Sequence, residues 1–409
     1  MIAVIYNIWS NIWWLVIPVI LFFIFLKFWL FYIRISYIMN MKWITLRIRV
    51  PKDNPRTPLA MEQIFSAAYS TFSHGLRLSQ IYWEGMVEDW TSFEIAAAGG
   101  SVAFYIRTQK NHRHLFESAV YSQYSDAEID LVDDYTNILP SVVPNNTYNL
   151  FGAEMILANK DAFPIRVWSY WNQPLEKEER ADTMAVLLEA LSKLKEGEMV
   201  WFQILIRPTD AEWTKEAKKV IAKEAKRTKP EKKANYIKKS GEFLNNLFLS
   251  PFQQPVWEEE KEEKKEVIRL TPGESDVVKA MEIKVGKLAF ETGMRWMYIA
   301  RKDVFSGSII TSFLGFFRQF NTHNMNGIKP DKPTLTIGRQ PFKQRGIWAK
   351  KRRLFERYRY RVFPKNKFSM LNIEELATIY HYPSSIVEAP GLQRVEAKKG
   401  TPPSTLPVE

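Results

Sequence analysis

The stretch SFEIAAAGGSVAFYIRT, residues 92–108, holds two alternating apolar runs on either side of Gly99 and Gly100. Two adjacent glycines between strand patterns indicate a tight β-hairpin, because both central positions of the favoured turn need positive φ angles. We therefore predict two antiparallel strands, over residues 92–98 and 101–108.

The neighbouring patterns extend this hairpin in both directions. Residues 43–50 and 127–132 are predicted as strands, and residues 59–72 and 110–124 as helices. The resulting order of strand, helix, strand, strand, helix, strand is typical of a ferredoxin-like α+β sandwich.

The second half of the chain carries similar patterns and predicts a second α+β unit. Its predicted strands are residues 150–158, 164–170, 199–207 and 287–300, and its predicted helices are residues 178–195, 210–225 and 304–320. The 409 residues leave room for two or three domains of roughly 100 to 200 residues each. We predict an anchor over residues 1–40, a first α+β domain over 41–145, a second over 146–335 with a charged insertion at 226–275, and a basic arm and tail over 336–409.

The first 26 residues contain no charged side chain, and the apolar segment at residues 12–33 is 22 residues long. This length fits the ~20 residues that cross a bilayer as a helix. A signal peptide fits poorly because no basic region precedes the run, and a buried core helix is the other alternative. The predicted anchor residues are aromatic residues at the two ends and one snorkelling lysine: Trp13, Trp14, Lys27, Trp29 and Tyr32.

The formal net charge of +12 is concentrated in two segments. Residues 215–239 carry eleven Lys/Arg and three Glu, and residues 343–367 carry eleven Lys/Arg and one Glu. The first segment lacks interleaved aromatic residues, which favours a solvated helix face. The second has three interpretations: a nucleic-acid surface, an anionic-lipid surface, or a solvated basic strand or loop whose aromatic side chains turn into the core. Its candidate residues are Lys343, Arg345, Trp348, Lys350, Lys351, Arg352, Arg353, Arg357, Tyr358, Arg359, Tyr360 and Arg361.

Signatures of catalysis are missing from the sequence. It contains no cysteine and no phosphate-binding loop, and its five histidines include no pair spaced as metal ligands on one helix face. The acidic cluster of Asp126, Glu128, Asp130, Asp133 and Asp134 has two interpretations, a cation site or a solvated strand face. We therefore expect a protein that is not an enzyme and that needs no cofactor or metal.

Four segments together resemble a bacterial domain of unknown function that is associated with type IV secretion or conjugative coupling ATPases of the FtsK–HerA class. They are residues 51–69 (PKDNPRTPLAMEQIFSAAY), 92–135, 317–330 (FRQFNTHNMNGIKP) and 371–407. In longer relatives a DNA-translocating P-loop ATPase module follows the last segment, whereas this chain stops there. The resemblance implies a non-ATPase part anchored in the bacterial inner membrane, whose motor is a separate chain. It transfers no catalytic residue.

The C-terminal region supplies the candidates for docking such a motor. Asn372 and Glu375 have capping-box spacing and predict a short helix at residues 373–380. Glu374, Glu375, His381 and Tyr382 are the predicted docking residues.

The positively charged flank after the apolar run predicts a single-pass protein with a cytoplasmic body. Its expected role is a platform that organises the ATPase. The alternatives are a membrane-tethered nucleic-acid binder without a motor, with DNA or anionic lipid as the partner of the basic arm, or a structural envelope scaffold.

Overall fold

A computed structural model describes residues 2–73, 75–171, 182–210, 212–225, 270–337, 344–364, 367–387 and 390–394. The α+β prediction is confirmed, with an N-terminal apolar helix followed by an antiparallel sheet and its covering helices. The helices are α1 (Ile2–Asn40), α2 (Leu59–Ala68), α3 (Arg113–Gln123), α4 (Trp168–Trp171), α5 (Ala185–Ser192), α6 (Glu212–Glu224), α7 (Pro272–Gly286), α8 (Ser308–Arg318), α9 (Gln344–Arg359) and α10 (Ile373–Ile379). The strands are β1 (Trp43–Arg49), β2 (Thr91–Ala98), β3 (Ser101–Gln109), β4 (Glu128–Val132), β5 (Tyr148–Leu157), β6 (Glu198–Pro208), β7 (Ala289–Arg301), β8 (Ile328–Pro330) and β9 (Ser369–Asn372).

The described strands form one sheet in the order β4-β1-β3-β2-β6-β7-β5-β8, and β9 pairs with the start of β7. Each pair of neighbours along this path is antiparallel. From one outer edge inward, the first four strands lie in the order β4-β1-β3-β2. From the other edge inward, the next four lie in the equivalent order β8-β5-β7-β6. The halves join where β2 pairs with β6. Strands from both predicted domains therefore share one sheet, and the ferredoxin-like description and the domain boundaries stay predictions.

The hairpin predicted from the glycine pair is confirmed. Ala98 pairs with Ser101 across the turn, and Gly99 and Gly100 have φ angles of 54° and 84°. These left-handed values explain why glycine occupies both positions.

Helices cover the two faces of the sheet unequally. On one face, α2, α3, α5, α8 and α10 bury a large core against alternate strand residues such as Phe202 and Ile204. On the other face, α9 packs on a smaller core that includes Trp201 and Met297. Strand β6 is therefore buried on both sides, which accounts for its nearly continuous apolar sequence.

The predicted strand at residues 164–170 is wrong, because this segment is irregular and then forms α4. Side chains of α10 satisfy its backbone: Ile165 donates its N–H to Glu375, and Trp168 donates its N–H to Thr378. Because these donors already have partners, the segment has no need of a neighbouring strand.

Helix α1 contains, from Trp14 to Asn40, a stretch that is long and apolar enough to cross a membrane. Most of its large apolar side chains are exposed, whereas Ile33 is buried where the end of the helix meets the body. This exposure sets α1 apart from the helices that cover the sheet.

Candidate anion-binding surface

Residues 344–359 of the basic segment form α9, so the interpretation of this stretch as a strand or loop is wrong. Leu354, Phe355 and Tyr358 recur at helical spacing and are buried against the sheet, where the ring of Tyr358 lies 5.6 Å from that of Trp201. The expectation that some of its aromatic side chains enter the core therefore holds for Phe355 and Tyr358.

The opposite side of α9 is cationic and exposed. The helix carries seven Lys/Arg and one Glu. Arg345, Arg352 and Arg353 are exposed, and Trp348 is 46% exposed with the Arg352 guanidinium 5.7 Å from its ring centre. Tyr360, just beyond the helix, is 71% exposed. Arg352 and Trp348 therefore lie together on the solvent-facing part of α9.

Beside this surface lies a cleft of about 420 Å³ between α9 and the loop at residues 331–334. Lys350 and Arg353 line it, together with Arg295, Arg357 and Lys367 and the carboxylates of Glu154 and Asp331. Within the described ranges, Lys350 and Arg353 pair with no carboxylate. These two cations are therefore available for an anion from solvent.

Other predicted residues of the basic segment hold the fold together. Lys351 donates to Asn149 at 2.8 Å, and burial lowers the pKa of its ammonium group. Arg357 lies 3.4 Å from Glu154, and Arg359 donates to the carbonyl of Pro140 and to Asn137. These contacts tie α9 to β5 and to the segment that follows β4.

Arg361 ends the helix in an unusual way. Val362 donates to the carbonyl of Arg357 and Arg361 donates to that of Tyr358, the pattern of a Schellman motif whose left-handed position is commonly glycine. Here Arg361 occupies that position with a φ of 47°. The Arg361 side chain binds partners that a glycine at this position could not bind.

Those partners are the buried carboxylate of Glu94 and the half-buried carboxylate of Asp134. The guanidinium of Arg361 is 2% exposed and lies 3.0 Å from Glu94, and it also donates to Asp134 at 2.9 Å. Burial alone would raise the pKa of Glu94, but Arg361 holds it below its usual value. The sequence analysis missed Glu94, although a lone charge in the apolar stretch SFEIAAA was a signal.

The predicted docking residues are all buried. Glu375 completes the predicted capping box with Asn372 and lies 3.0 Å from Lys284, both side chains being fully buried. Glu374 accepts from Ser169 and Lys287 at 2.6 Å each, and Tyr382 is 1% exposed. A partner could reach these groups only by opening the core, so they form a structural cluster in this fold.

His381 belongs to a cluster with the residue types of a hydrolase triad but a different connectivity. His381 contacts Asp182 at 3.0 Å through Nε2, while its Nδ1 faces the carbonyl of Ala377 at 2.8 Å. Ser384 donates to Asp182 at 2.9 Å and not to the histidine. Without a serine–histidine contact this cluster cannot activate a nucleophile, and it pins residues 381–384 to the body.

Arginine side chains form ion pairs with residues of the acidic cluster. Asp130 lies 2.9 Å from Arg47 and 2.8 Å from Arg49, while Asp134 lies 2.8 Å from Arg107. Across the described part of the chain, no group of three or more His, Cys, Asp or Glu side chains is placed to hold a metal ion. These contacts favour the solvated strand face over a cation site.

The predicted anchor residues lie along α1. Trp14 and Tyr32 are 61% and 68% exposed, Lys27 is exposed, and Trp29 is half-buried where the helix meets the body. The side chain of Trp13, and Lys343 of the basic segment, lie outside the described residues.

Most of the chain matches a known family model. A family model described as "Domain of unknown function (DUF8128)" matches residues 37–394, which comprise the sheet, its covering helices and the surface of α9. No curated protein matches the chain.

Proposed function

We propose, on the premise that the chain belongs to the DUF8128 family of unknown function, that it is a membrane-anchored, non-catalytic platform that binds nucleic acid. In this proposal α1 crosses the membrane once, and α9 presents the binding surface. The description of the family assigns no activity, so the argument comes from the residues themselves.

The exposed side of α9 is the observation that carries the proposal. Arg345, Arg352 and Arg353 are exposed around the solvent-facing part of α9, and Lys350 lines the adjoining cleft, so each is placed to neutralise a phosphate. Trp348 and Tyr360 expose rings on which unpaired bases can stack. Because unpaired bases can stack on these rings while the cations neutralise phosphates, we propose single-stranded nucleic acid as the ligand of this surface.

Membrane anchoring rests on α1. Its apolar stretch is exposed and long enough to span a bilayer, and basic residues follow it while no charged residue precedes it. The positive-inside rule favours a cytoplasmic body, and the resemblance to bacterial domains suggests the bacterial inner membrane.

A non-catalytic role fits the use of the buried ionisable groups. Glu94 with Arg361, Glu375 with Lys284, Glu154 with Arg295, and Asp182 with His381 each form a close pair inside the fold. Groups committed to such pairs are poorly placed to exchange protons with a substrate.

The motor is the part of the proposal that rests on resemblance. Similarity to domains associated with DNA-translocating ATPases suggests that nucleic acid held on α9 is handed to a separate P-loop ATPase. The buried docking candidates give no support to a contact through Glu374, Glu375, His381 or Tyr382, so we propose no specific docking surface for the motor.

Fluorescence anisotropy with labelled single-stranded DNA tests the binding surface in the full-length protein in mild detergent. The α9 variant Arg345→Gln/Lys350→Gln/Arg352→Gln/Arg353→Gln should lose affinity ~10-fold or more. The matched control removes four exposed lysines from α6: Lys215→Gln/Lys218→Gln/Lys219→Gln/Lys223→Gln. Equal affinity losses in both variants would mean that overall charge, and not α9, governs binding.

Affinity purification separates the platform from the alternatives. The tagged full-length protein is captured in mild detergent, treated with nuclease and examined by mass spectrometry. A P-loop ATPase bound to both the unmodified protein and the α9 variant supports a direct motor contact. Nucleic acid without an ATPase indicates a tethered binder, and the absence of both indicates an envelope scaffold.

A further inference from the structure

A short segment beside the end of α1 exposes large apolar side chains that the fold leaves uncovered. Residues 76–86 (LRLSQIYWEGM) include a helical turn over Gln80–Glu84. Leu78, Tyr82 and Trp83 are 73%, 44% and 75% exposed. No described part of the chain covers this cluster, and exposed apolar clusters of this kind mark contact surfaces.

The segment is fixed against α1 at one level of that helix. Trp29 donates its indole N–H to the carbonyl of Tyr82 at 3.0 Å. One turn of helix further on, Gly85 meets the backbone of Ile33: a Cβ at residue 85 would lie 2.5 Å from the Ile33 carbonyl carbon. Gly85 also has a φ of 68°. Glycine is required here for both reasons, and it lets the segment touch the helix backbone.

The depth of this contact follows from helix geometry. An apolar helix that enters the bilayer near Ile12 covers the ~30 Å hydrocarbon core after ~20 residues, at a rise of ~1.5 Å per residue. Trp29 and Ile33 therefore lie near the boundary between hydrocarbon and headgroups. Leu78, Tyr82 and Trp83 have to lie close to the same level.

We propose that residues 76–86 form a second membrane contact, lying in the interface of a phospholipid bilayer beside the span. The inference rests on the proposed membrane anchoring and adds to it a surface of the body that enters the lipid. Tryptophan and tyrosine favour this region because their rings are apolar and their N–H and O–H groups stay hydrated.

The charges around the segment suit a bilayer that contains anionic lipid. A cleft of about 440 Å³ separates the end of α1 from Trp83, and Lys42 and Lys110, both exposed, line it. Arg77 is exposed on the segment itself, as is the carboxylate of Glu84. The nearby carboxylates of Glu88 and Asp89 are half-buried and already bonded, to Ser73 and to Gln109 and His112 respectively. The three exposed cations therefore face one exposed carboxylate, which favours the phosphate-rich headgroup layer.

A lipid surface fits better than a protein partner because the patch continues from the apolar surface of α1. A protein that covered Leu78 and Trp83 would also have to sit among the headgroups at that depth. The second contact would hold the sheet at a fixed tilt to the membrane, since one helix alone leaves rotation and tilt open.

Site-directed spin labelling tests the proposal directly, because the chain has no cysteine of its own. Four variants each carry one nitroxide-labelled cysteine: Phe25→Cys within the span, Leu78→Cys and Trp83→Cys on the segment, and Lys218→Cys on α6. All four native side chains are exposed, so the fold should tolerate each label. The full-length protein is reconstituted in vesicles of phosphatidylcholine and phosphatidylglycerol, and label accessibility to oxygen and to a water-soluble nickel complex is measured.

The oxygen-to-nickel ratio should be highest at residue 25 and lowest at residue 218, with residues 78 and 83 at intermediate values that mark the interface. If residue 25 is deep while residues 78 and 83 match residue 218, anchoring holds and the second contact is overturned. If residue 25 also matches residue 218, the proposed anchoring falls and the second contact falls with it.

Discussion

Replacing Arg361 by methionine tests what holds α9 in place. The substitution keeps a long unbranched side chain and removes the cation, so Glu94 stays buried at 0% exposure with its Ser92, Tyr135 and Gln203 partners but without a counter-charge. Leaving one member of a buried ion pair unpaired costs about 3–5 kcal/mol. Methionine keeps the left-handed backbone at residue 361 with its strain, so we expect no compensating gain there.

A double variant separates the ion pair from simple damage to the fold. In Glu94→Gln/Arg361→Met neither charge remains, and the amide can keep some of the hydrogen bonds that Glu94 accepts. The double variant should therefore be more stable than Arg361→Met alone. The free energy of unfolding is measured by urea titration of the full-length protein in mild detergent, followed by far-UV circular dichroism.

The way the free energy of unfolding changes with pH is an independent test of the ion pair. In the unmodified protein the pKa of Glu94 is depressed, so its contribution is present above the pKa of an unfolded glutamate and is lost as pH falls below it. Without Arg361, burial raises the pKa of Glu94, and Arg361→Met should gain stability as pH falls from 7 toward 5. The reasoning is refuted if Arg361→Met unfolds within about 1 kcal/mol of the unmodified protein or if the double variant is no more stable than the single one.

Four further substitutions probe other parts of the molecule. Burial would raise the pKa of Asp182, but contact with His381 holds that pKa far below its usual value. The stabilisation that ionised Asp182 gives is therefore lost as pH falls below ~4. Asp182→Asn should lower the free energy of unfolding at pH 7, and it should flatten the acid part of a pH titration followed by circular dichroism. Gly85→Ala should raise hydrogen exchange at residues 80–84, because the new Cβ meets the backbone of Ile33. The control Gly346→Ala lies on α9 with no atom within 4 Å of the new Cβ, and it should stabilise the protein by ~0.5–1 kcal/mol. Similar exchange rates at residues 80–84 in the two variants would argue against close docking of the segment. Trp348→Ala should weaken anisotropy-measured binding to single-stranded DNA by ~1–3 kcal/mol for each stacked base and change duplex binding little, and an equal loss on both DNAs would exclude stacking.

Elements that depend on local pattern could be predicted from the sequence. The glycine-pair hairpin, the order of elements in the first half and the capping box at Asn372 all follow from residues within a few positions of each other. The failure at residues 164–170 has the opposite origin. The groups that satisfy that backbone come from Glu375 and Thr378, some 210 positions away along the chain.

In the candidate site, too, the features set by nearby residues could be predicted and those set by distant residues could not. Composition pointed to the basic and aromatic residues of the arm, but it could not tell the exposed Arg353 from the buried Arg361, because the carboxylate that binds Arg361 lies 267 positions earlier on β2. The predicted docking residues failed to give a surface for a related reason. Polar side chains such as Glu375 resemble surface residues in a sequence until their buried partner, here Lys284, is known.

If α9 carries the nucleic-acid surface, its cations should set how strongly salt weakens binding. The affinity of the full-length protein for single-stranded DNA is measured across a series of salt concentrations, for the unmodified chain, the α9 variant and the α6 control. Each phosphate contact contributes ~0.7 to the slope of log affinity against log salt, so loss of the four α9 cations should reduce the slope by about 3 and the α6 control should leave it unchanged. Identical slopes for all three proteins would contradict the account and remove α9 from the binding surface.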